Sequence, residues 1–128
     1  MANTKIIINA TQHKTTEDQR LAGVIDLSEK DHKKVCELLT FDEIPSYPLM
    51  TQRAYEIFHI LDNATRIGDT NVMIGGAPFF MSVLENILKL QDWNPMYAFS
   101  KRVSEEVVLE DGSVRKENVF KHLGFYEA

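Results

Sequence analysis

Three short polar segments contain the residues whose types could bind and process an anion. Thr11, Gln12, His13 and Lys14 offer a hydroxyl, an amide, an imidazole and an ammonium group in succession. The second segment is Gly75-Gly76-Ala77, and the third is Ser100-Lys101-Arg102. Cations and hydroxyls bind phosphate or carboxylate, histidine moves protons, and glycine lets a ligand approach the backbone. Together these residue types predict a site for a small anion.

Each segment also has an ordinary structural interpretation. Gly75-Gly76 could simply form a tight strand-to-helix turn, since it lacks the lysine and the glycine spacing of known phosphate-binding loops. His13 could be a solvent-facing or structural histidine, and Lys101-Arg102 could be a solvated pair. What favours a ligand-binding role is that each segment follows a different predicted strand.

Short strands that alternate with helices are expected to position these segments. The predicted strands cover residues 5–10, 24–27, 71–74 and 96–99. This alternation predicts an α/β fold, a Rossmann-like and mainly parallel sheet flanked by helices with right-handed crossovers. The main alternative is an α+β arrangement. Ligands of open parallel sheets bind outside the carboxyl ends of the strands, where the three segments would converge.

Capping residues predict where the helices begin. Thr15 and Ser28 are expected to cap the first two helices, and Thr51 the third. Residues 41–48 are predicted to form a loop because they include two prolines. Pro78 is suited to the first turn of a further helix, where its missing N–H is not needed.

The tail differs in character from the α/β core. Asp111-Gly112 is a typical tight-turn dipeptide, so residues 105–110 and 113–121 are predicted to form a β-hairpin. One domain is expected, with an α/β core at 1–100 and the hairpin and tail at 101–128. The hairpin is interpreted as an exposed ribbon, or alternatively as an arm that reaches over the site or a second subunit.

Composition excludes several classes of protein. The chain has 128 residues and a net charge of −5, with a pI of about 5.3, so a general DNA- or RNA-coating function is not expected. No long nucleic acid or membrane partner is predicted, and a phosphate-bearing ligand must be held locally. Cys36 is the only cysteine, which excludes an intrachain disulfide, and it is expected to be inert and without a histidine partner.

Other chemistries have no support in the sequence. No Cys/His spacing suits zinc, and no nucleophile elbow is present, so neither a metal nor a cofactor is expected. The apolar run at residues 6–8 is too short for a signal peptide, and no stretch approaches the length of a membrane helix. A cytoplasmic location is therefore predicted.

Three segments carry a family resemblance: Asn9-Ala10-Thr11-Gln12-His13, Ile74-Gly75-Gly76-Ala77-Pro78 and Ala98-Phe99-Ser100-Lys101-Arg102. In these segments and in its fold plan the chain resembles the CARF-like CRISPR-associated proteins. Those are small Rossmann-type domains of antiviral defence that bind cyclic oligoadenylates, and some degrade them as ring nucleases. The resemblance implies a homodimer that grips a small nucleotide ligand in a crevice.

The resemblance also implies a mechanism without metal. The ligand's ribose 2′-hydroxyl attacks the adjacent phosphorus, and the protein supplies positioning and charge stabilisation. The implied catalytic residues are His13, for proton transfer or phosphate contact, and Lys101 or Arg102 for the phosphate. The expected ligand-binding residues are Thr11, Gln12, Lys14, Gly75, Gly76, Ala77 and Ser100.

Two alternatives to an enzyme remain open. The first is a non-catalytic sensor or sponge that uses the same sheet edge to bind a nucleotide. The second is a structural or interaction homodimer without a ligand.

Overall fold

The computed structural model describes residues 5–65 and 68–128. Its helices and strands alternate along most of the chain. In order they are β1 (Ile7–Ala10), α1 (Glu17–Leu21), β2 (Val24–Asp26), α2 (Glu29–Leu39), α3 (Tyr47–Ala64), β3 (Asn71–Ile74), α4 (Pro78–Leu90), β4 (Asn94–Val108) and β5 (Val114–Glu127). No helix in these ranges combines the length and the apolarity needed to cross a membrane.

The strands form one mixed sheet in the order β2-β1-β3-β4-β5. Neighbours from β2 to β4 run parallel, whereas β4 and β5 are antiparallel. The prediction of an α/β fold with a helix-flanked sheet is confirmed. The prediction that the sheet is mainly parallel is wrong, because its longest ladder is the antiparallel β4–β5 pair.

The two faces of the sheet carry unequal amounts of core. Side chains alternate between faces along a strand, so neighbouring residues of β1 enter different clusters. Ile8 and Ala10 join the large cluster that α2, α3 and α4 bury, whereas Ile7 joins a small cluster with Val24, Met73 and Met96. Because residues on both faces are buried, β1 is apolar almost throughout.

The direction of strand addition reverses between β1 and β3. The chain first places β2 on one side of β1, and then crosses back to place β3 on the other side. The connections that leave β1 and β3 therefore diverge at their carboxyl ends. Such a reversal opens a crevice between the two strand ends, which is where open α/β sheets bind ligands.

The first two helices are capped by hydroxyl side chains. Ser28 caps α2 as predicted, through a hydrogen bond from the Asp31 amide. The cap of α1 is Thr16 and not Thr15, since Thr16 forms a reciprocal capping box with Gln19. The prediction for Thr15 is therefore wrong, and Thr15 is buried elsewhere.

The third helix is longer than predicted. It begins at Tyr47 and is capped by Ser46, so the predicted loop 41–48 ends earlier and Thr51 lies inside the helix. Pro48 did not prevent this start because it lies in the first turn, where the missing N–H has no helical partner. Pro78 has the same position in α4, as predicted.

The fourth and fifth strands extend beyond the rest of the sheet. Only residues 94–96 of β4 pair with β3, whereas the β4–β5 ladder continues to Val108. The predicted turn is confirmed, with Gly112 at a φ of 85°. The predicted strand end at residue 99 is wrong, because Ser100, Lys101 and Arg102 continue the ladder. We call residues 99–108 and 114–124 the ribbon.

Candidate functional site

A cavity of about 450 Å³ lies at the carboxyl ends of β1 and β3. We call it the β1–β3 cavity. Its lining combines polar loops with an apolar floor: Thr11, Gln12, His13, Lys14, Thr16, Gln19, Met73, Ile74, Gly75, Gly76, Tyr97 and Ala98. The cavity thus occupies the crevice that the reversal of strand order creates.

Asn9 holds the loop that forms one wall of the cavity. Its side chain is 4% exposed, and its Nδ2 donates to the His13 carbonyl at 2.7 Å. Its Oδ1 accepts from the backbone amide of Thr11 at 3.0 Å and from the Thr11 hydroxyl at 2.7 Å. Because both ends of the amide are used, the loop is fixed in a compact turn in which Gln12, His13 and Lys14 are exposed.

Asp26 fixes the other end of the same loop. Its Oδ1 accepts from the Thr15 hydroxyl at 2.6 Å and from the Thr15 amide and Asn9 Nδ2, both at 3.0 Å. Burial alone would raise the pKa of Asp26, but the hydrogen bonds from Thr15 and Asn9, with the nearby charge of His32, lower it below its usual value. The carboxylate form therefore holds the loop against β2.

The exposed groups of this loop are available to a ligand. Within the described part of the chain, no side-chain hydrogen bond or ion pair engages the His13 ring or the Lys14 ammonium group, and both residues are exposed. Gln12 is tethered instead, because its Nε2 donates to Thr40 Oγ1 at 3.0 Å. An imidazole and a cation therefore stand at the rim of the cavity on a fixed backbone.

The glycine turn after β3 forms the opposite wall. A Cβ at Gly75 would lie 3.5 Å from Thr11 Cγ2, so the turn passes close to the loop after β1. A Cβ at Gly76 would lie 3.2 Å from Met81 Cε, and its φ of 157° disfavours larger residues. The turn leads into α4, whose N-cap Ala77 forms no side-chain cap hydrogen bond. Small residues thus bring the backbone to the cavity surface.

Tyr97 closes the third side of the cavity from β4. Its phenol donates to Glu85 Oε2 on α4. Burial, together with the hydrogen bond and the negative charge of Glu85, raises the pKa of Tyr97 well above its usual value. The ring is therefore a neutral wall held in one orientation, and the sequence pattern identified it only as part of a strand.

The structure brings together two of the three predicted segments. Thr11, Gln12, His13 and Lys14 line the same cavity as Gly75 and Gly76, whereas Ala77 lies just beyond the lining. Ser100, Lys101 and Arg102 also lie outside the lining, on the ribbon. Lys101 is paired across the ribbon with Lys121, and Arg102 with Phe120. They are separated from the cavity because β4 does not end at residue 99.

Cys36 has a histidine neighbour that the sequence interpretation did not anticipate. His32 Nε2 lies 3.5 Å from Cys36 Sγ, and the thiol also lies 3.7 Å from the carbonyl oxygen of Gln12. The expectation that Cys36 lacks a histidine partner is therefore wrong. The signal was present in the sequence, since residues four apart on a helix are neighbours.

A second groove on the surface differs from the β1–β3 cavity in its charge. A larger groove of about 620 Å³ lies between Phe41 and Phe79, but Asp42 and Glu43 line it, and their negative charge disfavours an anion. Among residues 5–65 and 68–128, no group of three or more histidine, cysteine or acidic side chains is placed to hold a metal ion.

Comparison with protein families matches nearly the whole chain. The model of a family described as the uncharacterized protein MJ1673 family matches residues 5–126. No curated protein and no solved structure shows significant similarity to the chain. None of these comparisons connects the chain with the CARF-like proteins, so that resemblance stays a prediction.

Proposed function

The chain belongs to the uncharacterized protein MJ1673 family, and we propose that it binds a small phosphate-bearing ligand of nucleotide size in the β1–β3 cavity. One observation carries this proposal: His13 and Lys14, whose side chains have no hydrogen-bond or ion-pair partner among the described residues, line a cavity at the ends of β1 and β3 together with a glycine turn. A cation, a proton-transfer group and close backbone approach are what a phosphate site needs.

The topology of the sheet supports the location. The parallel part of the sheet has the order β2-β1-β3-β4, which is that of a Rossmann-like arrangement in its broad sense. In such folds the ligand lies at the point where strand order reverses. The β1–β3 cavity lies at that point, so the proposal follows from the topology as well as from the side chains.

The lining supports a nucleotide over a simple anion. Tyr97 and Ala98 offer a partly exposed apolar surface suited to a base, and Thr11 and Lys14 offer polar groups suited to a phosphate. A volume of about 450 Å³ falls within the roughly 300–1,000 Å³ range of small-ligand sites. More specifically, we propose that the ligand is a cyclic oligoadenylate, one nucleotide of which would occupy a cavity of this size.

Cleavage of that ligand is the second stage of the proposal. The ribose 2′-hydroxyl would attack the adjacent phosphorus, forming a 2′,3′-cyclic phosphate, while the bond from phosphorus to the 5′-oxygen breaks and that oxygen takes a proton from water to leave as a hydroxyl. His13 is the cavity residue suited to take the hydroxyl proton, and Lys14 the one suited to stabilise the phosphorane charge. Lys101 and Arg102 have no part in this step within one chain, because they lie on the ribbon.

Binding is tested by calorimetry with three probes: AMP, cyclic tetra-adenylate and cyclic hexa-adenylate. Lys14→Ala is expected to weaken the binding of the best probe by about 10–100-fold, because it removes a charge-assisted contact. Lys33→Ala is the matched control, since Lys33 is an exposed lysine on α2 outside the cavity lining. Its affinity and melting temperature should equal those of the wild type.

The outcomes separate the candidate functions. If none of the probes binds, or if Lys14→Ala and Lys33→Ala bind alike, the cavity is not a nucleotide site and the structural homodimer is favoured. Chromatography of the incubated ligand then separates the remaining two. Cleaved product that disappears in His13→Ala identifies a ring nuclease, whereas tightly bound intact ligand identifies a sensor or sponge.

A further inference from the structure

The ribbon exposes the edge of β4 that faces away from β5. β3 pairs only with residues 94–96 of β4, and β5 occupies the other side of β4. Within the described part of the chain, no strand pairs with residues 99–108 on the side that β3 leaves free. The N–H and C=O groups of such an edge form a template for another strand.

The ribbon also contains two unfavourable charge pairs. Lys101 is directly opposite Lys121, and Glu105 is directly opposite Glu117. Like charges in these positions destabilise an antiparallel pair. A neighbouring strand on the free edge of β4 would relieve both pairs if it placed an acidic group beside Lys101 and a basic group beside Glu105.

The free edge of β4 in a second copy of the chain can supply that strand. Along one face of the ribbon the side chains are Phe99, Lys101, Val103, Glu105 and Val107, since β4 keeps its two-residue alternation past the bulge. When two copies of β4 pair antiparallel with Val103 opposite its own copy, this series is self-complementary. Lys101 then opposes Glu105, and Phe99 opposes Val107, each pair occurring twice.

Symmetry restricts the possible registers. Neighbouring pairs in an antiparallel ladder alternate between hydrogen-bonded and non-hydrogen-bonded types, so a two-fold axis requires a residue to oppose its own copy. Centring the axis on Ser104 instead would place Val103 opposite Glu105, and Lys101 opposite Val107. The register centred on Val103 is therefore the better one.

We infer that two copies of this chain associate through the free edges of β4, antiparallel and centred on Val103, so that two ribbons form one four-stranded sheet. This inference does not depend on the cavity or its ligand. A register of the outer β5 edge centred on Val119 also pairs Lys121 with Glu117. This edge is nevertheless a poorer candidate, because the same register places Lys116 opposite His122 and includes the bulge near Gly124.

Charge-reversal variants test this register by sedimentation equilibrium. The single variants K101E and E105K should each weaken dimerisation by about tenfold or more, because each places like charges opposite one another twice. Both variants remove a like-charge pair within their own ribbon, so a loss of dimer does not reflect a weakened hairpin. Mixing K101E with E105K should give a heterodimer, because opposite charges then face one another at both positions.

One double variant and one control variant complete the test. K101E/E105K should dimerise as the wild type does, since the two charges are exchanged. K121E is the matched control for the β5 edge and should leave dimerisation unchanged. Any of three results would overturn the inference. The wild-type chain could be monomeric at about 100 μM. K101E could dimerise normally, or K121E could disrupt the dimer.

Discussion

At the residue scale, the cavity loop depends on two polar side chains that form several hydrogen bonds each. Asn9 and Asp26 use their side chains to fix Thr11, His13 and Thr15. The cavity-lining residues of the loop could be predicted because they follow a strand. The residues that hold the loop could not, because an asparagine in a short apolar run does not reveal which backbone groups it will meet.

The acid sensitivity of Asp26 is the prediction at this scale. Its folded-state pKa is lowered, so the carboxylate contributes stability that is present above the unfolded value of about 3.9 and is lost as the pH falls through the folded value. Asp26→Asn should therefore be less stable than the wild type at pH 7. The difference in unfolding free energy should shrink below about pH 4.

Urea denaturation of both proteins between pH 3 and pH 7 measures this difference. Asp18→Asn is a suitable control, since Asp18 is exposed and lies on α1. A gap between wild type and Asp26→Asn that stays constant down to pH 3 would show that the Asp26 charge does not hold the loop.

At the element scale, local signals predicted some boundaries and missed others. β3 occupies residues 71–74 as predicted, and Ser28 and Pro78 act at helix starts as predicted. The predicted β4 is shorter than the observed strand, because Ser100, Lys101 and Arg102 are polar and resemble a loop. Their strand structure comes from pairing with β5, and pairing between distant segments leaves no mark in a local pattern.

The turn of the ribbon gives the prediction at this scale. Gly112 has a φ of 85°, and a Cβ there would have no neighbour within 4 Å, so a substitution acts through backbone strain alone. Gly112→Ala should lower the unfolding free energy by about 1 kcal/mol. Gly112→Asn should recover most of that loss, because asparagine tolerates positive φ.

Thermal and urea unfolding of the two variants would measure the effect. The comparison between alanine and asparagine reports mainly on the backbone, since a Cβ at this position meets no atom within 4 Å. Equal stability of Gly112→Ala and the wild type would mean that the turn relaxes without strain, contrary to this expectation.

At the scale of the whole molecule, one large apolar cluster joins α2, α3 and α4 to the sheet. The small cluster on the opposite face shares the same strands, so neither part has a separate interior. The amphipathic spacing of α3 and α4 made their buried faces predictable. That all three helices share one face depends on strand order, which the helix patterns do not contain.

Leu84 and Leu90 form a matched pair on α4 that tests this single core. Leu84 is 0% exposed and Leu90 is 72% exposed. Leu84→Ala should lower the unfolding free energy by about 2–5 kcal/mol, a large part of the roughly 5–15 kcal/mol of an ordinary domain. Leu90→Ala should change it by less than about 0.5 kcal/mol.

Both effects are read from urea unfolding followed by fluorescence of Trp93, which is buried in the same cluster. Circular dichroism should give the same midpoint, because a single core unfolds in one step. Two separated transitions, or equal effects of the two substitutions, would contradict a single continuous core.

The continuity of β4 links two regions of the molecule. Tyr97 and Ala98 line the cavity, and the ribbon begins at the next residue, so one strand joins the cavity to the ribbon. A ligand that changes the affinity of the ribbon for its partner must itself be bound more tightly or more weakly by the assembled form, and by the same factor. Any coupling between the cavity and the ribbon would therefore act equally in both directions, so that assembly and cavity occupancy would each report on the other.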